Sequence, residues 1–419
     1  MNRRTFVQSA AGLAAAYSVS GLRNAIEAAT TPYNRPKLKI TEIRTAEVRV
    51  HGYQMHVRVY ADDGLYGQGE ATDAAQGGVP LVNSWRRLLI GADPLNVEAI
   101  FEQIRTSGIF AGAQSGQYVT ALSAVEIALW DLAGKAMGIP VYQLLGGKVR
   151  DRVRVYCDSD MRDPLADEAS KKVEFVKQNQ FTAMKIDVDQ ATDPNRFDRV
   201  NWTANNAEID RMIKWIQHTR DSIGMNIDLG VDMHGRYDAV TGKRVAKLAE
   251  PFRLMWLEEP VPPENVAAMR EVKLHSPVPL CAGENLYLRW GFRDLIEQQA
   301  VDTIMPDIPK CGGLSECRKI ANMAEVYYIQ FAPHKVCGPL GTMASAHVCA
   351  TIPNFLVMEW HWIDYEGWDD FATRDQPVIQ QGHVVLTDRP GIGLDVNDEA
   401  LIPYLRPGTT LFGETPTTP

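Results

Sequence analysis

The chain has 419 residues, 45% of them hydrophobic and 23% charged, with a formal net charge of -9. That length exceeds what one ordinary core fills, and predicts a large domain joined to a smaller one. The negative balance argues against nucleic acid or an anionic membrane surface as partner, because neither would be attracted.

Residues 1–35 stand apart. Arg3 and Arg4 precede a weakly apolar run from Ser9 to Ala16. Paired arginines before such a run read as a twin-arginine export signal, with the small residues around Ala28 and Ala29 suited to cleavage. An ordinary amphipathic N-terminal helix is the other reading. The run is too short and too rich in Ala and Ser to span a bilayer. The expected location is therefore periplasmic or secreted, and cytoplasmic if the segment is no signal. None of the six cysteines has a C-x-x-C spacing, so neither a zinc knuckle nor a redox motif is indicated.

Residues 36–150 read as a small α+β domain. "TEIRTAEVRV" and "HVRVYADDGLYGQGEA" alternate apolar and polar residues, and Asp62-Asp63-Gly64 supplies a turn between strands. Val125, Ala128, Leu129, Leu132, Ala133 and Ala136 then repeat at helical spacing, and Gly138 and Pro140 stop that helix. From 151 to 370 the rhythm changes. Eight short apolar runs alternate with amphipathic stretches. They end near Cys157 and at Asp187, Asp232, Glu258, Glu284, Asp307, His334 and Glu359. From Asp232 onward the steps are 26, 26, 23, 27 and 25 residues, about what a strand, a helix and two short loops need. Eight such units closing on themselves predict a (β/α)8-type barrel. The 45-residue step from Asp187 to Asp232 holds an insertion, in the polar stretch "DQATDPNRFDRVNWTANNAE".

What sits at the strand ends is the functional signal. Seven of the eight runs finish in a titratable residue or carry one within two places. In a barrel of this type the C-terminal strand ends converge on one pocket. Buried charges cost several kcal/mol each unless they are paired or bound to metal, so chance placement at successive strand ends is disfavoured. Asp232, Glu258 and Glu284 fall on consecutive strands. Three carboxylates in one place repel, and a hard divalent cation resolves the repulsion: Mg2+ by its all-oxygen preference, with Mn2+ possible. Glu259, next to Glu258, points the other way along a strand and reads as a supporting group. Asp307 and His334 end neighbouring strands. A carboxylate on the imidazole fixes its tautomer and raises its basicity, which makes the pair a candidate general base. The other histidines (51, 56, 218, 275, 347, 361 and 383) read as surface or packing residues.

The chain resembles the enolase superfamily, in its mandelate racemase/muconate lactonizing enzyme branch. The resemblance runs over nearly everything after the leader. It rests on "ALWDLAGKAMGIPVYQLLGG", "MKID", "VDMHG", "WLEEP", "CAGEN", "PDIPKCGG", "APHKVCGP" and "MEW". It implies a (β/α)7β barrel, an N-terminal α+β cap completed by residues 371–419, whose last part is an expected disordered tail, and usually a homo-oligomer. It also implies Mg2+ and abstraction of the proton α to the carboxylate of a small-molecule substrate. By the same resemblance Asp232, Glu258 and Glu284 are metal ligands, and His334 with Asp307 is the base. Lys185 steadies the substrate carboxylate, and Glu359 is the acid of the last strand. One position departs: the racemase pattern K-x-K here reads Lys185-Ile186-Asp187. That puts a two-base racemase in doubt and leaves Asp187 as a substrate or positioning group.

His234 follows Asp232 by two residues, so the two face the same way in extended chain. It resembles the additional histidine of the galactonate dehydratase-like acid-sugar dehydratases. The expected function is dehydration of an aldonate-type sugar acid to a 2-keto-3-deoxy acid, with His334 as base and His234 as acid; the reverse assignment stays open, and the other reading of His234 is a supporting partner of Asp232 with no proton transfer. A racemase, epimerase or cycloisomerase working through the same enediolate is the first alternative. A sugar-acid binding protein with a dead site is the second. Substrate choice is expected in the loops at Tyr53-Gln54 and Phe110–Ser115, and in the insertion after Asp187.

Overall fold

The computed structural model describes residues 35–413 except 73, 160–166, 190–195, 197, 199 and 362. The expected leader and the last six residues of the chain therefore lie outside the described residues. The chain divides into two compact units, Met1–Lys37 and Leu38–Pro419, and every element named below belongs to the second. No helix among the described residues is long and apolar enough to cross a membrane.

An antiparallel sheet opens that unit: β1 (Ile40–Val48), β2 (Gln54–Ala61) and β3 (Tyr66–Ala71), paired in that order. The long helix α1 (Gly116–Met137) lies against it and ends where Gly138 takes a φ of 70°. Its close approach depends on β3. A Cβ on Gly67 or Gly69 would overlap the carbonyls of Ala128 and Ala124, so only glycine lets the helix backbone lie on the strand.

All eight apolar runs form parallel strands: β4 (Arg152–Asp158), β5 (Ala183–Asp187), β6 (Asp228–Asp232), β7 (Trp256–Glu258), β8 (Leu280–Ala282), β9 (Thr303–Ile304), β10 (Gln330–Phe331) and β11 (Met358–Trp360). Consecutive strands pair from β4 through β10, and β11 returns to pair with β4. An isolated bridge between Phe331 of β10 and Phe355, three residues before β11, closes the ring. This is the (β/α)7β barrel with an N-terminal α+β cap. The intervening helices begin on side-chain caps. Asn205, Asp238 and Asn265 accept from Glu208, Thr241 and Ala268 N–H at 3.0, 2.7 and 3.1 Å, and each such cap contributes about 1 kcal/mol.

The barrel interior is layered by the two-residue period of its strands. Tyr156, Ala183, Trp256, Cys281, Met305, Ala332 and Val357 form one buried cluster. Two residues further along the same strands stand Asp158, Lys185, Glu258, Gly283, Asp307, His334 and Glu359. On β6 the corresponding pair is Gly230 and Asp232. A packed apolar floor thus lies directly under a ring of ionisable groups. Gly283 (φ 134°) breaks the alternation on β8, and a Cβ there would meet the Phe292 ring at 2.6 Å. The break turns Glu284 toward the ring.

Cap and barrel are locked by carboxylates. Glu126 of α1 accepts from Leu314 and Ser315 N–H, both 2.9 Å, at the start of the helix Gly313–Val326. Burial raises its pKa to about 7 despite those bonds. Glu70 of β3 accepts from Gly338 and Gly341 N–H at the start of Pro339–Thr351. Both acids meet the positive end of a helix dipole. The C-terminal segment serves both parts. Ile379–Gln380 and His383–Val385 form a hairpin that pairs with β4, while Asp398 binds Arg58 of β2 and Leu405 bridges to Val48 of β1.

Candidate active site

Strand register brings the predicted residues together. Asp158 lies opposite Lys185, Asp187 opposite Asp232, and Asp232 opposite Glu258. Asp232, Glu258 and Glu284 offer oxygens all within 4.8 Å of one another. Lys185 is buried among carboxylates. Its Nζ is 2.9 Å from Glu359 Oε1 and 3.2 Å from oxygens of Asp158, Asp232 and Glu258. Burial alone would lower its pKa, but Asp158, Glu258 and Glu359 hold it well above the ordinary value.

Charge in this ring is unbalanced. Burial pushes Glu258 well above the carboxylate range, and Asp232 and Glu284 add to the push. Asp187 is driven up by burial and by Asp158. Asp232 goes the other way: burial raises it, but His234 and Lys185 outweigh burial and bring it down to about 2. Glu359 is likewise raised by burial and lowered further by Lys185 and His334, so it stays ionised. An all-oxygen donor set with uncompensated negative charge fits a hard divalent cation. Asp232, Glu258 and Glu284 are the residues that could hold it.

Two imidazoles flank the triad. His334 Nδ1 sits 2.7 Å from Asp307 Oδ2, and its Nε2 is 3.3 Å from Glu284 and 3.7 Å from Glu359. Thr72, at the end of β3, donates to the same Asp307 oxygen at 3.2 Å, so the cap completes the dyad. Burial opposes protonation of His334, yet Glu359, Glu284 and Asp307 raise its pKa to about 10. A divalent charge among those carboxylates would act in the opposite direction. His234 takes a left-handed φ of 49°, and its N–H donates to Asp232 Oδ1 at 2.7 Å. Burial lowers its pKa, but Asp232 and Asp189 raise it to about 11. Glu259, expected as a supporting group, accepts from Asn285 at 2.9 Å and Gly283 N–H at 3.2 Å. Burial and Glu284 push it up to about 8.

Three residues escaped the sequence reading. Asp158 was passed over because the first run seemed to end at Cys157. Asp189 binds His234. His361, grouped with the packing histidines, instead has Nδ1 3.5 Å from Asp158 and a ring 4.8 Å from His51 of the β1–β2 loop. The Asp158 contact of His361 departs from that reading, whereas the ring contact of His51 is packing. His56 and His347 are buried, and His218 and His275 exposed, as expected. The missed signal was the two-residue period: Asp189 follows Asp187, and His361 follows Glu359, as His234 follows Asp232. Of the loops expected to choose substrate, Gln54 is buried in β2 and Phe110 is fully exposed.

Comparison with known proteins agrees with this geometry. Residues 26–146 match the N-terminal domain model of mandelate racemase / muconate lactonizing enzyme, and residues 166–400 match the enolase C-terminal domain-like model. A D-xylonate dehydratase of Haloferax volcanii is 38% identical over 90% of this chain and 91% of its own.

The chain belongs to the enolase superfamily.

Within that superfamily its similarities lie with dehydratases. A D-galactonate dehydratase of Pectobacterium atrosepticum is 30% identical over 87% of this chain and 94% of its own. A mandelate racemase/muconate lactonizing enzyme-like protein of Rubrobacter xylanophilus superimposes with a TM-score of 0.86 at 42% identity, covering 90% of this chain and all of that one. This superfamily member is an enzyme of the hydro-lyase class.

Proposed function

We propose that the protein dehydrates an aldonate-type sugar acid to a 2-keto-3-deoxy acid, with Mg2+ held by Asp232, Glu258 and Glu284. Mn2+ suits the same oxygens. The observation that carries the reading is the pair of carboxylate-anchored imidazoles on either side of the triad. An epimerisation needs a proton carrier on each face of C2, whereas a dehydration needs a base at C2 and an acid at the C3 hydroxyl.

A divalent cation bound there supplies positive charge against the substrate carboxylate as its α-proton leaves. His334 takes that proton on Nε2, because Nδ1 is held by Asp307. Lys185 adds positive charge beside the carboxylate, where negative charge grows most. Glu359 orders Lys185 and accepts from Lys335 N–H at 2.8 Å. It fits a positioning and substrate-binding role better than an acid, since its surroundings keep it ionised. Asp187, held toward its neutral form, suits a hydrogen bond to a substrate hydroxyl. His234 protonates the departing C3 oxygen. With Asp187 at the second site of the K-x-K pattern, the opposing lysine of a racemase is missing. The relatives act on a pentonate and a hexonate by name, which makes those two classes the substrates to try first.

The test is a panel of pentonates, hexonates and uronic-acid derivatives, incubated with the Mg2+-loaded enzyme and with enzyme stripped by chelator. The expected result is a 2-keto-3-deoxy product from at least one acid, lost on stripping and restored by Mg2+. Epimerised acid with no keto-deoxy product would replace this reading with the epimerase.

A further inference from the structure

Asp189 has no role in the reading above, yet it is among the best-held carboxylates at the barrel mouth. It is buried, and Oδ1 lies 2.6 Å from His234 Nδ1. Oδ2 lies 2.6 Å from Arg236 Nη1. His234 is fixed from below as well. Its own N–H binds Asp232, and the next residue, Gly235, takes a φ of 60° and donates its N–H to Glu259 O at 2.8 Å. Two consecutive left-handed residues turn the chain out of strand geometry, and this carries the ring across from β6 to the end of β5. What the backbone leaves free is rotation of the ring about its own bond, and a half-turn would put Cδ2 in the place of Nδ1 and Cε1 in the place of Nε2. Asp189 removes that freedom. Nε2 then lies 3.6 Å from Asp232 Oδ2, on the side of the carboxylate triad. His334 is arranged alike, with Asp307 on Nδ1 at 2.7 Å and Nε2 toward Glu284.

We propose that Asp189, anchored by Arg236, is a positioning residue for the elimination half of the reaction: it holds His234 so that Nε2 meets the leaving hydroxyl. The inference rests on the dehydratase reading and deepens it. In the step concerned, the electron pair of the enediolate moves to form the C2=C3 bond as the C3–O bond breaks. The oxygen takes the Nε2 proton of His234 and leaves as water, and the enol goes on to the 2-keto acid. Asp189 itself touches neither substrate nor reacting atom.

A positioning role for the acid has a signature that a merely structural role lacks. Proton removal at C2 belongs to His334 and should not notice Asp189. A fluoride at C3 leaves without a proton and should not need His234 to be aimed. The experiment uses the Mg2+-loaded full chain as wild type, Asp189→Asn and Arg236→Met. It measures three rates: water loss from D-xylonate, C2 hydrogen exchange with D2O, and fluoride release from 3-deoxy-3-fluoro-D-xylonate. In Asp189→Asn, water loss should fall about 10- to 100-fold, as for other groups that orient a functional histidine. KM should hardly change, and exchange and fluoride release should stay within about threefold. Arg236→Met should show the same pattern more weakly. An Asp189→Asn enzyme that keeps full water loss overturns the proposal. So does one that loses all three rates together, which would mark a structural role. A wild type that exchanges C2 but releases neither water nor fluoride overturns the dehydratase reading, and the assignment with it.

Discussion

The barrel interior holds two layers two residues apart on the same strands, and they obey opposite rules. Trp256 and Glu258 both point inward from β7. Trp256 packs edge-on against Tyr156 at 5.4 Å and donates its indole N–H to Glu258 Oε2 at 3.0 Å. It is a satisfied core residue. Glu258 is equally buried, and its carboxylate is pushed well up by burial and by like charge. In the proposed function the floor supplies stability and the ring above it reactivity. Changes in the floor should therefore appear in the unfolding curve, and changes in the ring in the rate.

The largest separation is expected at His334. His334→Asn removes the proposed base and should lower kcat by about 10^3-fold or more. The melting temperature should hold or rise, because a cluster built for chemistry is not optimised for stability. A variant that loses stability and rate together would erase the distinction between layers. Trp256→Ala is the converse. Truncating a buried Trp costs about 3–5 kcal/mol, and urea unfolding should report that loss.

Two buried histidines sharpen the contrast. The carboxylates around His334 raise its pKa, whereas His347 is buried with only backbone partners: its Nδ1 accepts from Tyr142 N–H at 2.9 Å, and Nε2 donates to Ile392 O at 3.1 Å. Burial lowers its pKa from 6.5 to about 4. Above pH 6.5 both folded and unfolded states are neutral at this site, so its full contribution is present. Below 6.5 the unfolded chain binds a proton that the folded one refuses, and stability falls until about pH 4. At 1.36 kcal/mol per unit, roughly 3 kcal/mol is lost over that window. His347→Gln should flatten that part of the stability-versus-pH curve measured by denaturant titration. An unchanged slope would contradict the assignment. The smallest effect is at the seam between layers. A Cβ on Gly230 would sit 3.1 Å from Trp256 Nε1 and 3.5 Å from Lys185 Cγ. Gly230→Ala should cost about 1 kcal/mol by overpacking, read by thermal melting.

The same period explains what the sequence discloses. A buried strand reads as an apolar run, so all eight could be found, and a charge at the end of such a run needs a reason. Asp232, Glu258, Glu284, Asp307, His334 and Glu359 announce themselves in that way. Asp158, Asp189 and His361 do not, because each lies one or two residues beyond the point where the apolar run stops. There the chain looks like loop, yet Asp158 and His361 still face inward and Asp189 reaches His234. The turn at Gln381 and Gly382, both with positive φ, was also missed. Its flanking strands are two and three residues long, too short to show alternation. Lys185's four carboxylate neighbours come from four other strands, a contact set that only closure of the ring creates.

The central claim is that the charged layer removes a C2 proton and then a C3 hydroxyl. The most direct test is to run the Mg2+-loaded wild type on D-xylonate in D2O and follow C2 and C3 by proton NMR. This account predicts a 2-keto-3-deoxy product with no hydrogen at C2 and one deuterium in the C3 methylene. Recovered acid deuterated or inverted at C2, with every C3 hydroxyl still in place, would contradict it.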